Sequence, residues 1–397
     1  MPNENELFEF AKQKLLDGES GLNQGDGPRS LACLSVRFAL EFNSDSRSRV
    51  VACKQVERHM RLCLAATTGF ESLITLAGSE PLLAEAASQV MYNSVASPVR
   101  HLADHSDLYC VDRGRRGELV AALVIMQARD AAVMAQLPNL RRRWISVIDF
   151  MQALLPNDKY TELQGSLPTS WRAGEDRTFA DTFKNYAMWF NHVIRVEKAE
   201  MINDKYLWTF ITRGAMILCA QNQNGVDIVL PLCLETGQLS RKTVSAILIQ
   251  VKNSDKYGYD IDRLLFDGLC PFKVGMFNDK STPRPVVRMV FALSSSISGI
   301  NFPDVRERPR TRHHDASTAF DIWCAGLSSF KNIDKDLNSY KTLLDRSLQS
   351  HDAFELGELK GDEYLDALAR KSRGDQRRRT AALTMPDNEH VQLHFHE

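Results

Sequence analysis

The sequence predicts an α/β protein with a mostly helical N-terminal region followed by a mixed sheet. Two short runs at residues 226–234 and 246–251 are rich in Val, Ile and Leu and are bounded by turn-forming or charged residues, as strands buried on both faces are. The first half instead places apolar residues three and four positions apart, which favours helices. With 44% apolar and 25% charged residues, the 397-residue chain has the composition of a globular protein and the length for two domains.

The N-terminal region, residues 1–175, is predicted to be mostly helical. Residues 117–136 are apolar nearly all round, so this helix is expected in the core. A polar stretch after residue 156 contains Pro168 and two glycines, and a domain boundary is therefore placed near residue 175. Helical patterns lie at residues 4–17, 49–91, 117–136 and 145–155.

The second region, residues 176–345, is predicted to hold the sheet, and residues 346–397 are predicted to form a helical and basic tail. From residue 203 the order of elements is helix, strand, strand, strand, helix, strand. The predicted helices lie at residues 179–196, 203–213, 259–269, 333–348 and 362–371, and the predicted strands lie at 215–221, 226–234, 246–251, 285–293 and 318–325.

Composition and missing motifs narrow the range of functions that the protein can have. The formal net charge of −1 gives no overall attraction for nucleic acid or membranes, so such binding would depend on local patches. The eight cysteines contain no CxxC pair and are expected to be free thiols in a reducing compartment. Without a secretory signal or an apolar run of about 20 residues, the protein is expected to be intracellular, cytoplasmic or nuclear, with no membrane segment. The sequence also lacks GxxxxGK[ST], GxSxG, HExxH and GxGxxG motifs, which counts against P-loop proteins, common hydrolases, zincins and dinucleotide-binding proteins.

Three polar residues on the two clearest strands form the candidate catalytic site. Asp227 lies at the start of the first strand. Gln250 and Lys252 project from one face of the second strand, because side chains alternate along a strand. If the two strands are neighbours, a carboxylate, an amide oxygen and an ammonium group meet near the edge of a sheet.

The element order and the spacing of Asp227 and Gln250-x-Lys252 resemble the PD-(D/E)xK nuclease superfamily, which has a restriction-endonuclease-like core. GVDIVLP followed by ILIQVKN is most similar to the branch in which glutamine replaces the acidic residue, as in Mrr-type endonucleases. A looser resemblance is to fungal Crinkler-type effector proteins that carry such domains. The resemblance covers less than half of the chain and leaves the first half unassigned. It implies a metal-dependent nuclease that hydrolyses DNA.

The residue types suit phosphodiester hydrolysis. The resemblance implies that Asp227, Gln250 and the main-chain carbonyl of Val251 bind Mg²⁺ or Mn²⁺, and magnesium does prefer oxygen ligands while keeping several waters. Lys252 would orient the attacking water and stabilise negative charge.

The glutamine is a departure from the commoner family pattern, because an amide brings no negative charge to the metal. A further carboxylate would strengthen metal binding. Glu197 and Glu200, ahead of the first strand, and Glu118, in the remote helix at residues 117–136, are candidates. Glu235 lies at the far end of its strand and is a poor one.

Other interpretations stay open. In one, Asp227 closes a turn after Gly225, and the chain is a catalytically inactive nuclease fold that binds nucleic acid or a protein. In another, the helical region docks a protein partner while the α/β region supports it. A homodimer is a further candidate assembly.

Four clusters of arginines are candidate contacts for a DNA or RNA backbone, because local patches make phosphate contacts. His313, His314 and Asp315 form a weaker candidate for metal binding or acid–base chemistry, as do His390, His394 and His396 in the tail. The arginine clusters are Arg113, Arg115 and Arg116; Arg141, Arg142 and Arg143; Arg306, Arg308, Arg310 and Arg312; and residues 377–379, of which the second and third are favoured.

Overall fold

The computed structural model describes residues 4–23, 26–42, 46–66, 73–94, 97–106, 113–136, 144–171, 175–220, 223–235, 240–277, 284–303 and 317–345. These residues belong to one compact unit, Met1–Asp345, and the second unit, Arg346–Glu397, lies outside them. Helices precede a mixed sheet in the described unit, so the predicted α/β class is confirmed.

Helices make up most of the chain before residue 166. Several begin with a proline in the first turn, where a missing N–H breaks no helical hydrogen bond. In chain order the elements are α1 (Glu4–Leu15), α2 (Gly27–Phe38), α3 (Ser46–Arg58), β1 (Arg61–Ala66), β2 (Leu73–Ala77), α4 (Pro81–Tyr92), α5 (Pro98–Asp104), α6 (Arg113–Ala135), β3 (Ile145–Ser146), α7 (Val147–Leu154) and α8 (Asn157–Gly165).

Helix α6 is a core helix, as its apolar composition predicts. Every side chain from Val120 to Met126 is buried, so no face of this stretch is left to solvent. Among the described helices, none is long and apolar enough to cross a membrane.

The helical pattern predicted for residues 49–91 is confirmed at its two ends by α3 and α4, but it is wrong between them. Helix α3 ends at Arg58, and Met60 adopts a φ of 58°, which no α-helix continues through. The chain then forms the antiparallel pair β1 and β2, in which Leu62 lies opposite Leu76. A helical spacing of Val56, Met60 and Leu64 is therefore coincidental.

The second region contains most of the sheet. Its elements are α9 (Phe179–Phe183), β4 (Tyr186–Met188), β5 (His192–Arg195), α10 (Asp204–Thr212), β6 (Ala215–Leu218), β7 (Ile228–Leu234), β8 (Val244–Lys252), α11 (Arg263–Gly268), β9 (Val286–Ala292), β10 (Gly299–Asn301) and β11 (Ala319–Ala325), with a helix over residues 337–345. From α10 to β9 the predicted order of helix, three strands, helix and strand is confirmed. The helix predicted at residues 179–196 is wrong beyond α9, because the aromatic and β-branched residues after it pair as β4 and β5.

The main sheet brings β7 and β8 together in its interior. Its order is β10-β11-β9-β8-β7-β4-β3, and β6 pairs with β7 and with β5. Strands β7 and β8 are antiparallel, whereas β8, β9 and β11 run parallel. The polar residues at the ends of β7 and β8 therefore lie inside the sheet and not on an edge strand.

Two apolar cores cover the faces of this sheet. The first core packs the N-terminal helices against one face and includes Leu123, Phe150, Leu230, Ile249 and Met289. The second core packs α10 and α11 against the other face and includes Leu207, Phe210, Leu248, Phe266 and Val290. The first core contains residues from both sides of residue 175. The domain boundary near that residue stays a prediction.

Candidate active site

Asp227 directly precedes β7 and is held by its neighbours' backbone. Its amide donates to the Ile249 carbonyl at 2.9 Å, and its carboxylate Oδ2 accepts from the Val251 amide at 2.6 Å. Its own carbonyl accepts from the Cys219 amide at 2.9 Å. These three bonds fix Asp227 beside the end of β8, as the pairing of neighbouring strands predicts.

Gly225 explains how the chain reaches this position. It has a φ of 90°, and a Cβ atom there would collide with the backbone carbonyl of Gly268. Only glycine tolerates both conditions. The turn ahead of Asp227 is therefore packed tightly against the end of α11.

Gln250 and Lys252 lie on the face of β8 that carries Leu248, which belongs to the second core. Gln250 is 8% exposed, and its Oε1 has no hydrogen-bond partner among the residues that the structure describes. The Lys252 ammonium lies 5.4 Å from the centroid of the Tyr257 ring, within cation–π range. Asp227, Gln250 and Lys252 are called the strand-end site below.

The charge on Asp227 is only partly compensated. Burial raises the pKa of the Asp227 carboxyl above its ordinary value, while the Val251 amide and the positive charge of Lys252 act to lower it. Burial is the larger effect. The site therefore has spare capacity for positive charge.

Helix α6 packs against β8, although the sequence places it far away. A Cβ atom on Gly117 would lie 3.1 Å from Asn253 Cβ and 3.4 Å from Val251 Cγ1. Glu118 is the next residue, and its Oε2 lies 3.8 Å from Arg195 Nη1 on β5.

Cys219 links Glu118 to the strand-end site. Burial, followed by the charges of Asp227 and Glu118, raises the pKa of the Cys219 thiol well above its ordinary value. Both carboxylates therefore act electrostatically on the same buried thiol. Glu197, Glu200 and Glu235 are exposed, so Glu118 is the favoured further acidic residue.

Sequence reasoning included Glu118 only as one of several candidates. The available signal was an acidic residue at the start of an otherwise apolar helix. What sequence could not supply was the packing of that helix against β8, which joins residues more than 130 positions apart.

The donor set suits a hard cation. Within the described ranges, no group of three or more His, Cys, Asp or Glu side chains is arranged to hold a metal ion. A site here would instead combine the Asp227 carboxylate, water and the amide oxygen of Gln250, which has no partner among the described residues. Magnesium accepts such sparse oxygen sites.

Most of the predicted arginine contacts lie outside the described residues. This applies to Arg141, Arg142 and Arg143, to Arg306, Arg308, Arg310 and Arg312, to residues 377–379, and to the histidines at 313, 314, 390, 394 and 396. Residues 113, 115 and 116 are in the first turn of α6.

Comparisons with known proteins identify one family. No curated protein and no solved structure matches the chain. The match to a family model spans residues 23–265, which runs from just before α2 into α11 and includes Glu118 and the whole strand-end site. Because this match covers more than half of the 397 residues, the chain belongs to the family described as Domain of unknown function (DUF8736).

Proposed function

We propose that this protein is a metal-dependent nuclease that hydrolyses phosphodiester bonds in DNA at the strand-end site. The observation that carries the proposal is the buried Oε1 of Gln250, which has no partner among the described residues, one residue before Val251, whose amide donates to the partly compensated carboxylate of Asp227. A buried acceptor without a partner costs about 1–3 kcal/mol, so such atoms usually have a functional explanation. A bound cation would satisfy both groups at once.

Each residue of the strand-end site then has a role. Asp227 and Gln250 would hold Mg²⁺ or Mn²⁺, together with the main-chain carbonyl of Val251. Glu118 would add a second negative charge from α6, which offsets the neutral glutamine. When bound, the cation would supply Lewis-acid stabilisation of phosphoryl charge and a lower pKa for a coordinated water.

Lys252 would bind the phosphate and position the attacking water. Its ammonium is close enough to Asp227 to lower the pKa of that carboxyl, and the Tyr257 ring limits its motion. A lysine held in this way offers up to three N–H donors to a phosphate and a water. The helix–strand order from α10 to β9 also supports the resemblance to PD-(D/E)xK nucleases.

Plasmid cleavage with Mg²⁺ or Mn²⁺ tests the proposal. Lys252→Ala should abolish cleavage while circular dichroism and thermal unfolding stay close to the wild type. Lys256→Ala is the matched control, because Lys256 is an exposed lysine only four residues away, and it should retain cleavage. Unchanged cleavage by Lys252→Ala contradicts the assignment.

The inactive alternative predicts a different outcome. The wild-type protein would then bind DNA or RNA with a steep dependence on salt and show no turnover with either metal. Binding without turnover would leave the strand-end site as a remnant of the fold and would overturn the proposed activity.

A further inference from the structure

A second hydrogen-bonded series lies at the opposite end of β5 from Arg195, between β5 and the loop that precedes α4. The Ser79 hydroxyl oxygen lies 2.7 Å from His192 Nε2, and His192 Nδ1 lies 2.8 Å from Asn191 Oδ1. We propose that Ser79, His192 and Asn191 form a nucleophilic site that cleaves carboxylic esters through an acyl-serine. The proposal is independent of the nuclease activity.

The surrounding hydrogen bonds determine where the protons are. Asn191 Nδ2 donates to the Pro81 carbonyl and to Glu85 Oε2, each at 2.9 Å, so both of its N–H groups are used. The other side-chain atom of Asn191 is therefore an acceptor, and His192 Nδ1 must carry the proton donated to it. His192 Nε2 is then unprotonated and accepts the hydrogen bond of the Ser79 hydroxyl. This is the proton arrangement that a serine nucleophile and its base require.

The base is rigidly held. Asn191 and His192 are 0% and 1% exposed, so neither side chain is free to rotate into solvent. Glu85, which binds Asn191, is itself paired with Arg129 at 2.7 Å. His192 is therefore a base with a fixed tautomer and a fixed ring orientation. Asn191 has the positioning role that the third member has in such sites.

Positive charge lies next to the nucleophile. Arg213 Nε donates to the Ser79 oxygen at 3.3 Å, and its Nη2 donates to the Ser79 carbonyl at 2.5 Å. Helix α4 begins two residues later, and the side chain of the preceding Glu80 makes no capping hydrogen bond to it. The Arg213 guanidinium and the positive end of the helix dipole would stabilise an oxyanion at this position.

The position also allows access. Ser79 is half-buried and lies between buried His192 and exposed Arg213, so part of the residue is reached by solvent. The exposed guanidinium favours an ester whose acyl part carries an anionic group.

The reaction needs only the ester and water. Ser79 Oγ attacks the ester carbonyl carbon while its proton passes to His192 Nε2. The bond to the alkoxide leaving group breaks, and that alkoxide takes the proton from His192. A water molecule, deprotonated by the same nitrogen, then hydrolyses the acyl-serine and restores the Ser79 hydroxyl.

The charges around His192 suit a base that stays unprotonated at acidic pH. Burial, followed by the charges of Arg213 from the end of α10 and Arg37 from α2, lowers the pKa of His192 to about 4. Glu85 from α4 acts on the ring only through Asn191. The imidazole therefore stays neutral at pH 5, where an ordinary histidine is mostly protonated.

A fluorophosphonate probe and 4-nitrophenyl acetate test the proposal on the full chain. The probe should label Ser79, and Ser79→Ala should lower acyl turnover by about 100-fold or more, the usual contribution of a nucleophile and its base. Ser106→Ala is the control, because Ser106 is a half-buried serine whose hydroxyl donates to the Ala103 carbonyl, and it should leave labelling unchanged.

Two further measurements separate catalysis from a structural role. The rate should stay constant from pH 7 to pH 5, and His192→Gln should lose turnover while Lys252→Ala keeps it. Equal labelling of the wild type and Ser79→Ala, or no labelling of the wild type, would overturn the proposal. Neither result bears on plasmid cleavage.

Discussion

The helical region and the strand-end site each bury an aspartate, and the two aspartates are compensated differently. Asp130 of α6 accepts hydrogen bonds from Arg37 at 2.7 and 2.9 Å, from Arg129 at 3.0 Å and from Ser88 at 2.8 Å. Burial acts to raise the pKa of Asp130, but Arg37 and Arg129 outweigh it, and the pKa is lowered. These hydrogen bonds belong to one continuous set, called the helical network below, which consists of Arg37, Glu85, Ser88, Arg129, Asp130 and Asn191.

Asp227 has one backbone amide and one lysine where Asp130 has two guanidinium groups. Burial therefore decides the result, and the pKa of Asp227 is raised. Under the proposed function, Asp130 stabilises the fold and Asp227 binds a ligand. A saturated carboxylate stabilises the folded state, whereas an undercompensated one costs stability until a cation arrives.

The largest expected effect is the loss of the Asp130 charge. Asp130→Asn leaves the buried Arg37 guanidinium without its counter-ion and removes one of the two carboxylates paired with Arg129, and it should lower the free energy of unfolding by about 3–5 kcal/mol. Urea denaturation measures this. Glu162→Gln, which breaks the exposed pair with Lys159, is the control and should cost less than about 1 kcal/mol. A small effect at Asp130 would remove the contrast between the two regions.

The next effect comes from His192, which is bonded to the helical network through Asn191. Its folded pKa of about 4 lies below the unfolded value of 6.5, so the unfolded chain binds more protons between these two pH values. Stability from this group is therefore complete above about pH 6.5 and falls by about 3 kcal/mol as the pH drops to 4. The pH dependence of urea denaturation should be flatter in His192→Gln. Equal slopes in the two proteins would contradict this account.

A carboxylate in place of the Gln250 amide should strengthen metal binding. Gln250→Glu adds a negative charge beside Asp227, and the expected gain in Mg²⁺ affinity is about tenfold, or about 1.4 kcal/mol. Isothermal titration calorimetry measures it. Without metal the variant should be less stable than the wild type, because two buried carboxylates repel each other. Unchanged affinity would mean that Gln250 is not a ligand.

The smallest expected effect is that of Asp227→Asn on the stability of the fold. Asp227→Asn keeps an acceptor for the Val251 amide and removes a buried charge, so at pH 7 the variant should be as stable as the wild type or up to about 1 kcal/mol more stable. It should nevertheless lose plasmid cleavage and the stabilisation by Mg²⁺. Destabilisation comparable to that of Asp130→Asn would show that both aspartates are structural.

The strongest strands are predictable from sequence because their apolar character is local. Strands β7, β8 and β9 are rich in Val, Ile and Leu and are buried on both faces, and the antiparallel pairing of β7 with β8 then brings Asp227 to Gln250. Strands β4 and β5 are different, since they are short and depend on partners elsewhere in the chain. β4 pairs with β7, and β5 pairs in parallel with β6 across α10.

The same limit applies to the polar groups. Glu118 reaches its position only because α6 packs against β8, and Ser79 meets His192 across 113 positions of sequence. Periodicity and local spacing indicate which residues are neighbours along one helix or strand. They carry no information about contacts between elements that are far apart in the sequence. Tertiary packing decides them.

Helix α6 carries both Glu118 and Asp130, one beside each of the two regions compared above. Twelve residues of continuous helix separate them, which corresponds to about 18 Å along the axis. Every side chain from Val120 to Met126 between them is buried, so this segment is clamped on all sides. The helix therefore acts as a rigid spacer with a charged group near each end. A displacement of α6 along its axis would therefore move Glu118 and Asp130 together.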